Sequence, residues 1–220
     1  MSFIALGLAL LALIPARAFA DPLTIVALGD SLTAGYMLPP DDGFPEQLQA
    51  ALKERGYDDV TVVNAGVSGD TTSGGLSRLD WAVGPDADAV ILELGANDAL
   101  RGIDPAITRK NLEEMIARLK KRGLPILLAG MYAPPNLGKE YAARFNPIYP
   151  ELAGEYDLIL YPFFLDGVAA DPALNLGDGL HPTSQGVRDI VARIMPYVEK
   201  LIARTREEAR ASAAGTSPAN

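Results

Sequence analysis

The sequence contains no cysteine and only one histidine, His181. Without a thiol, the chain can form no disulfide bond, no cysteine nucleophile and no cysteine-ligated zinc or iron–sulfur site. With one imidazole it cannot build a site from two or three histidines, which excludes most catalytic zinc and non-haem iron centres. Any catalysis by an imidazole must therefore use His181.

Positive charge is also scarce, since 19 Lys and Arg residues stand against 28 Asp and Glu residues, giving a net charge of −9. This balance disfavours binding to nucleic acid or to an anionic membrane surface. The chain also lacks a Gly-x-x-x-x-Gly-Lys-Ser/Thr loop, which disfavours phosphoryl transfer. What is present, 220 residues of which 49% are hydrophobic, suffices for the core of one domain.

The first twenty residues have the pattern of a signal peptide. The apolar run Phe3–Ile14 is too short to span a bilayer, and Ala18-Phe19-Ala20 is the small-x-small pattern of a cleavage site. No Lys or Arg precedes the run, so an uncleaved anchor or a mis-assigned start is the alternative. We expect cleavage after Ala20 and export to a periplasm or the medium, leaving one domain over 21–208. Residues 209–220 are small and polar, which predicts a disordered tail.

From Leu23 onward, short apolar runs alternate with longer helical patterns. The runs are typical of strands covered on both faces; they are Leu23–Leu28, Val60–Val63, Ala89–Leu94, Pro125–Ala129 and Leu158–Tyr161. The helical patterns are Phe44–Arg55, Thr72–Val83, Pro105–Arg122, Lys139–Glu155 and Thr183–Arg206. Repeated βα units predict an α/β fold with a parallel sheet and helices on both faces. In such a sheet, ligands bind beyond the carboxyl ends of the strands.

Four of the five predicted strands are followed by small residues mixed with Ser, Asn, Asp or His. These segments are Gly29–Leu32, Asn64–Asp70, Gly95–Asp98 and, after a longer loop, Asp178–Pro182. Small residues leave backbone N–H groups open, and the polar side chains are of the types used in catalysis. The pattern predicts one catalytic crevice at the carboxyl edge of the sheet.

Ser31 is the candidate nucleophile of this crevice. A serine hydroxyl needs a base to take its proton, and His181 is the one imidazole available. Asp178, three residues before His181, can accept the Nδ1–H and leave Nε2 as the base. The alternatives are an ordinary Gly-Asp-Ser turn and a structural histidine. The lipase-type Gly-x-Ser-x-Gly elbow is absent, because Thr33 occupies its fifth position.

A tetrahedral oxyanion needs hydrogen-bond donors aimed at it. The N–H of Gly69, the side-chain amide of Asn97 and the N–H of Ser31 can supply them. The alternatives are that Gly66 and Gly69 are turn residues and that Asn97-Asp98 caps a helix.

These four ordered segments resemble the sequence blocks of the SGNH (GDSL) hydrolases. From about Leu23 to Leu201 the chain is most similar to the bacterial exported esterases of the thioesterase I, lysophospholipase L1 and arylesterase type. The resemblance implies a flavodoxin-like three-layer α/β/α sandwich with a five-stranded parallel sheet. It implies Ser31 as nucleophile, His181 as base and Asp178 as its partner. It also implies an oxyanion hole from Ser31, Gly69 and Asn97, since alignment on Ser68-Gly69-Asp70 selects Gly69 over Gly66.

We therefore expect a serine esterase that works through an acyl-enzyme, without a metal or organic cofactor. The loop after the fourth strand and the turn at Ala99–Ile103 would flank the acyl group, through Leu100, Met131, Tyr132, Ala133 and Pro134. Their apolar content favours short- to medium-chain or aryl esters and lysophospholipids, with acyl thioesters as further family substrates. We expect a small-molecule ester as partner, no nucleic acid, no stable membrane insertion, and a monomer or weak oligomer.

Two other functions remain open. A carbohydrate O-acetyl esterase on the same fold is disfavoured because the only tryptophan, Trp81, lies in a helical region rather than in a predicted site loop. A periplasmic lipid-binding module with a dead site is disfavoured because no candidate catalytic residue is missing.

Overall fold

The computed structural model describes residues 21–215. The predicted signal peptide at residues 1–20 lies outside the described residues, as do residues 216–220. The described part contains a five-stranded sheet in the order β2-β1-β3-β4-β5, and every pair of neighbours is parallel. The strands are β1 (Leu23–Gly29), β2 (Val60–Gly66), β3 (Ala89–Glu93), β4 (Ile126–Ala129) and β5 (Ile159–Tyr161).

Helices cover both faces of this sheet. They are α1 (Ser31–Ala34), α2 (Phe44–Glu54), α3 (Thr72–Ala82), α4 (Ala96–Leu100), α5 (Pro105–Lys121), α6 (Gly138–Phe145), α7 (Ile148–Tyr156) and α8 (Ser184–Gly215), with a 3₁₀ turn at Pro135–Leu137. Helix α2 packs against α8, while α3 packs against α5 and α5 against α7. The result is the expected three-layer α/β/α sandwich.

Three sequence-based expectations need correction. The predicted helix Lys139–Glu155 is two helices, α6 and α7, separated at Asn146-Pro147, because a proline has no N–H for a helical hydrogen bond. Strand β2 is not covered on both faces: Val63 is 40% exposed, since β2 lies at the edge of the sheet and pairs only with β1.

The third correction concerns the carboxyl-terminal tail. Helix α8 continues to Gly215, so the part of the predicted disordered tail from Ala209 to Gly215 is helical. Four of the seven residues from Ala209 to Gly215 are alanine and one is arginine; both types have high helix propensity, and this propensity outweighs the small, polar character of the segment.

The strand order places one crevice at the carboxyl edge of the sheet. Strand β1 lies between β2 and β3, so the connection that follows β1 runs to one side, toward β2, while the connection that follows β3 runs to the other side, toward β4. Loops that follow β1 and β3 therefore diverge and leave a cleft between them. Strands β3 and β4 are buried along their whole length, which makes this a rigid base for the loops.

Among the described residues, no helix is long and apolar enough to cross a membrane.

Candidate active site

Ser31 lies at the sharp turn where β1 gives way to the short helix α1. Asp30 caps that helix by accepting a hydrogen bond from Leu32 N at 3.0 Å. Gly29 is needed just before the turn, because a Cβ there would lie 2.0 Å from Thr33 Oγ1 and 2.6 Å from Glu93 Oε2. The missing side chain at Gly29 thus lets the strand end fold tightly enough to present Ser31 in the cleft.

His181 connects Ser31 to Asp178. Its Nε2 lies 2.9 Å from Ser31 Oγ, and its Nδ1 lies 2.6 Å from Asp178 Oδ2. The N–H groups of His181 and Leu180 donate to Asp178 Oδ1 at 3.0 and 2.9 Å. These hydrogen bonds, the His181 N–H foremost, lower the pKa of Asp178 to about 2. An ionised Asp178 favours the tautomer with a proton on Nδ1, which leaves Nε2 free to accept the Ser31 proton.

The loop that carries His181 is fixed by its own backbone. Leu176 N donates to His181 O at 2.7 Å, and Asn175 forms an antiparallel bridge with Pro182. The ring of Tyr36, from the segment after α1, lies against the imidazole with a centroid distance of 4.6 Å. These contacts hold the imidazole between Ser31 and Asp178.

The three predicted oxyanion donors lie around the same strand ends, but they are placed differently. Ser31 and Asn97 line the cavity described below, and Gly69 does not. Asn97 Nδ2 donates to Asp30 Oδ2 at 3.0 Å; because an amide nitrogen carries two hydrogens, a second N–H stays available. Gly69 lies in a turn with φ of +84°, and its carbonyl accepts from Arg101 at 2.8 Å. Within the described residues, its N–H makes no hydrogen bond.

Gly66, the alternative to Gly69, has a packing role. A Cβ at Gly66 would lie 2.3 Å from Ala34 N, so its missing side chain lets α1 approach β2. That close approach explains the glycine without any role in binding an oxyanion.

A cavity of about 400 Å³ opens beside Ser31 and His181. All five predicted substrate-binding residues line it: Leu100, Met131, Tyr132, Ala133 and Pro134. The cavity is also lined by residues that were not predicted from the sequence to bind substrate: Leu32, Ala96, Pro135, Phe163, Leu165, Ala169, Ala170, Asn175, Gly179 and Leu180. Most of these come from the long connection between β5 and α8, whose path no periodic pattern reveals. The wall is mainly apolar, which suits a hydrocarbon group.

Two buried carboxyl groups lie directly behind Ser31. Asp30 and Glu93 are both fully buried, and burial raises the pKa of Asp30 to about 6. The pKa of Glu93 is raised well above its usual range by burial and by the nearby Asp30 charge. The sequence analysis missed Glu93, although a lone acidic residue inside the apolar run Ala89–Leu94 was a usable signal.

A third buried carboxylate, Asp98, joins the loops around the cleft. It accepts hydrogen bonds from Thr72 N at 2.8 Å, from Thr72 Oγ1 at 2.5 Å and from Thr108 Oγ1 at 3.1 Å. Asp98 thus ties α4, which carries Asn97, to the starts of α3 and α5. The Gly69 turn leads directly into α3, so this network also restrains that turn.

The described residues contain no group of three or more His, Asp or Glu side chains that could hold a metal ion.

Comparison with known proteins shows the family to which this chain belongs. A family model described as GDSL-like Lipase/Acylhydrolase family matches residues 27–188. An arylesterase from Vibrio mimicus is 40% identical, over 82% of this chain and 86% of its own. The thioesterase 1/protease 1/lysophospholipase L1 of Escherichia coli (strain K12) is 38% identical, over 72% of this chain and 75% of its own. The crystal structure of AlinE4, an SGNH-hydrolase family esterase, is 45% identical with a TM-score of 0.70, over 83% of this chain and 98% of its own.

Proposed function

The chain belongs to the GDSL-like lipase/acylhydrolase family and is a carboxylic ester hydrolase, and we propose that Ser31, His181 and Asp178 form its catalytic triad. The observation that carries this proposal is the continuous hydrogen-bonded chain from Ser31 Oγ through the only imidazole of the protein to Asp178. A serine hydroxyl has no other imidazole base available in this sequence.

In this mechanism Ser31 Oγ attacks the ester carbonyl carbon while His181 Nε2 takes its proton. The tetrahedral intermediate then collapses, the C–O bond to the alcohol breaks, and His181 returns the proton to the leaving oxygen. Water, deprotonated by His181, then attacks the acyl-enzyme carbonyl. The second tetrahedral intermediate collapses, the bond to Ser31 Oγ breaks, and His181 returns the proton to Ser31 Oγ as the carboxylic acid leaves. The Asp178 carboxylate stabilises the imidazolium that forms in each half-reaction.

We further propose that the N–H of Ser31, the N–H of Gly69 and the second Nδ2–H of Asn97 bind the oxyanion. The anionic Asp30 accepts one Asn97 N–H, which turns the amide so that the other can face the cleft. The Arg101 hydrogen bond to the Gly69 carbonyl fixes the peptide that follows Gly69, and the positive φ of Gly69 sets the direction of its N–H relative to that peptide. Each such donor contributes roughly 3–4 kcal/mol to transition-state stabilisation in serine hydrolases.

The cavity supports substrates with an apolar acyl or aryl group. Its volume of about 400 Å³ greatly exceeds that of an acetyl group. The names arylesterase and lysophospholipase carried by the relatives agree with such substrates. We therefore propose short- to medium-chain or aryl esters and lysophospholipids, with acyl thioesters as a further class.

A kinetic experiment tests the triad and the substrate class together. Wild type and Ser31→Ala are assayed in EDTA against nitrophenyl esters from acetyl to lauroyl. We expect chelator-resistant hydrolysis with an optimum beyond acetyl, and a loss of at least about a thousandfold in Ser31→Ala. Undiminished turnover by the variant would refute the triad, whereas an optimum at acetyl with activity on acetylated sugars would favour the carbohydrate deacetylase.

Trp81 does not line the cavity and is 83% exposed on α3, so it offers no sugar-stacking surface in the cavity.

We also propose that the enzyme is exported and acts as a monomer or weak oligomer. The apolar run Phe3–Ile14 with Ala18-Phe19-Ala20 after it supports export, and the net charge of −9 opposes self-association. Amino-terminal sequencing of protein from the periplasmic fraction should begin at Asp21. Light scattering on the purified protein tests its oligomeric state.

A further inference from the structure

Glu93, the last residue of β3, points a fully buried carboxyl group at the turn that carries Ser31. Its Oε2 accepts hydrogen bonds from Thr33 Oγ1 at 2.8 Å and from Asp30 N at 3.3 Å. Its Oε1 is buried and has no hydrogen-bond partner among the described residues. Both donors flank Ser31 in the sequence, so the Glu93 carboxyl fixes the backbone on either side of it.

The geometry favours an uncharged Glu93 beside a charged Asp30. Asp30 accepts hydrogen bonds from Leu32 N and Asn97 Nδ2, which stabilise its anion. An ionised Glu93 would place charge on an oxygen without a donor, next to a second buried carboxylate, and this is costly. The raised pKa of Glu93 agrees with this assignment.

Other titratable groups face this pair from the surrounding elements. His181 and Asp70 act on Asp30 from the loops before α8 and α3. Asp70 is itself paired with Arg78 of α3 at 2.6 Å, and Arg78 also donates to Gly29 O. Tyr149 of α7 donates to Leu94 O next to Glu93. None of these groups supplies a hydrogen bond to Glu93 Oε1.

We propose that Glu93 is a positioning residue for ester hydrolysis, whose carboxyl group holds Asp30 and Thr33 and thereby the Ser31 nucleophile and the Asn97 amide. The inference rests on the proposed function of Ser31 and Asn97. Glu93 touches neither the substrate cavity nor the reacting atoms, since it does not line the cavity. Its effect passes through Asp30, which hydrogen-bonds Asn97 directly.

Two substitutions at Glu93 separate this role from a simple packing role. Glu93→Gln keeps an oxygen that accepts from Thr33 and Asp30 N and stays neutral. Glu93→Met fills a similar volume but accepts neither hydrogen bond. We expect Glu93→Gln to keep kcat within about threefold and Glu93→Met to lower kcat at least about tenfold at little changed KM, because transition-state contacts are lost while the cavity is retained.

The pH profile supplies a readout that packing alone would not move. If Glu93 is neutral in the working range, Glu93→Gln removes no charge beside Asp30, so the acid limb of kcat/KM stays in place. If Glu93 were ionised, the same substitution would lower the Asp30 pKa and shift the acid limb to lower pH. A shifted limb, or a loss in Glu93→Gln equal to that in Glu93→Met, would overturn the proposal.

Thr33→Val supplies an independent test should Glu93→Met fail to fold. It removes the hydroxyl that donates to Glu93 Oε2 and should lower kcat several-fold at unchanged KM. Thr205→Val is the matched control, since the Thr205 hydroxyl is also buried but bonds to Leu201 O in α8; it should leave kcat unchanged. Wild-type kcat in folded Glu93→Met or Thr33→Val would refute the positioning role. Activity retained in Ser31→Ala would instead refute the proposed function on which this role depends.

Discussion

Replacing Gly29 by alanine perturbs the turn at Ser31 without changing any polar group. The added Cβ would lie 2.0 Å from Thr33 Oγ1 and 2.6 Å from Glu93 Oε2. Neither neighbour can move freely, because both are fully buried and hydrogen-bonded to each other at 2.8 Å. The strand end must shift instead, and Ser31 shifts with it.

Overpacking of this kind costs about 1–3 kcal/mol of folding free energy. For a domain of this size that corresponds to a melting temperature lowered by roughly 2–12 °C. A displacement of Ser31 by about 1 Å should also lower kcat/KM about a hundredfold. Thermal unfolding by circular dichroism and nitrophenyl ester hydrolysis measure the two effects on the same preparation.

Gly154→Ala is the matched control. Gly154 lies inside α7, and a Cβ there would meet nothing within 4 Å. Alanine favours a helix interior over glycine by about 0.5–1 kcal/mol, so this variant should be slightly stabilised and fully active. Wild-type stability and kcat/KM in Gly29→Ala would refute the claim that the absence of a side chain at Gly29 is needed to position the nucleophile.

Three further predictions address the electrostatics of the site. Asp178→Asn should lower kcat about ten-thousandfold with the fold intact, because an amide no longer enforces the imidazole tautomer that leaves Nε2 as the base; circular dichroism and steady-state kinetics check both parts. The kcat/KM of wild type should fall as the pH drops through about 6, the raised pKa of Asp30, because protonation removes the anionic acceptor of the Asn97 amide. Asp178 adds no loss of activity in that range, because its pKa is lowered to about 2. A kcat/KM profile that is flat from pH 8 to 5 would contradict this prediction. Asp98→Asn should destabilise the fold by about 2–4 kcal/mol, because an amide has one acceptor oxygen and cannot accept both from the Thr72 N–H and from the Thr72 and Thr108 hydroxyls. Urea unfolding at pH 7 measures this effect, and unchanged stability would contradict the network.

The same raised carboxyl pKa has a consequence for stability. Because the folded-state pKa of Asp30 lies above the ordinary aspartate value of 3.8, the folded state binds more protons than the unfolded state between about pH 4 and 6. The contribution of Asp30 to folding stability is therefore present at acid pH and is lost as the pH rises through about 6. A buried carboxylate kept at this cost beside the nucleophile agrees with a role in orienting Asn97.

Much of the fold follows from local patterns in the sequence. Apolar runs such as Ala89–Leu94 identify the strands because both faces of a central parallel strand are covered. The same rule fails at Val63, because run composition does not reveal which strand lies at the edge. The break between α6 and α7 could have been predicted from Pro147. The helix beyond Ala209 could be predicted only by giving the helix propensity of its residues more weight than their small, polar character.

The candidate site divides in a similar way. Ser31, Asn97 and His181 could be selected because each follows a strand, where polar residues among small ones have few structural reasons to occur. The cavity wall from Phe163 to Ala170 could not be selected, because its position depends on how a long irregular connection folds over β4 and β5. The apolar run around Glu93 was a usable signal for a special residue, but its contacts could not be predicted, because Thr33 and Asp30, which donate hydrogen bonds to its carboxyl group, lie 60 and 63 residues away in the sequence.

Covalent labelling of the nucleophile tests the central claim most directly. Wild type, Ser31→Ala and His181→Ala are incubated with an alkyl phosphonate ester that carries a nitrophenol leaving group, and intact masses are followed by mass spectrometry. The account predicts one phosphonyl adduct on wild type that maps to Ser31, none on Ser31→Ala, and labelling slowed at least about a thousandfold in His181→Ala. An adduct on Ser31→Ala at the wild-type rate, or undiminished labelling without His181, would contradict a serine nucleophile activated by the single imidazole of this chain.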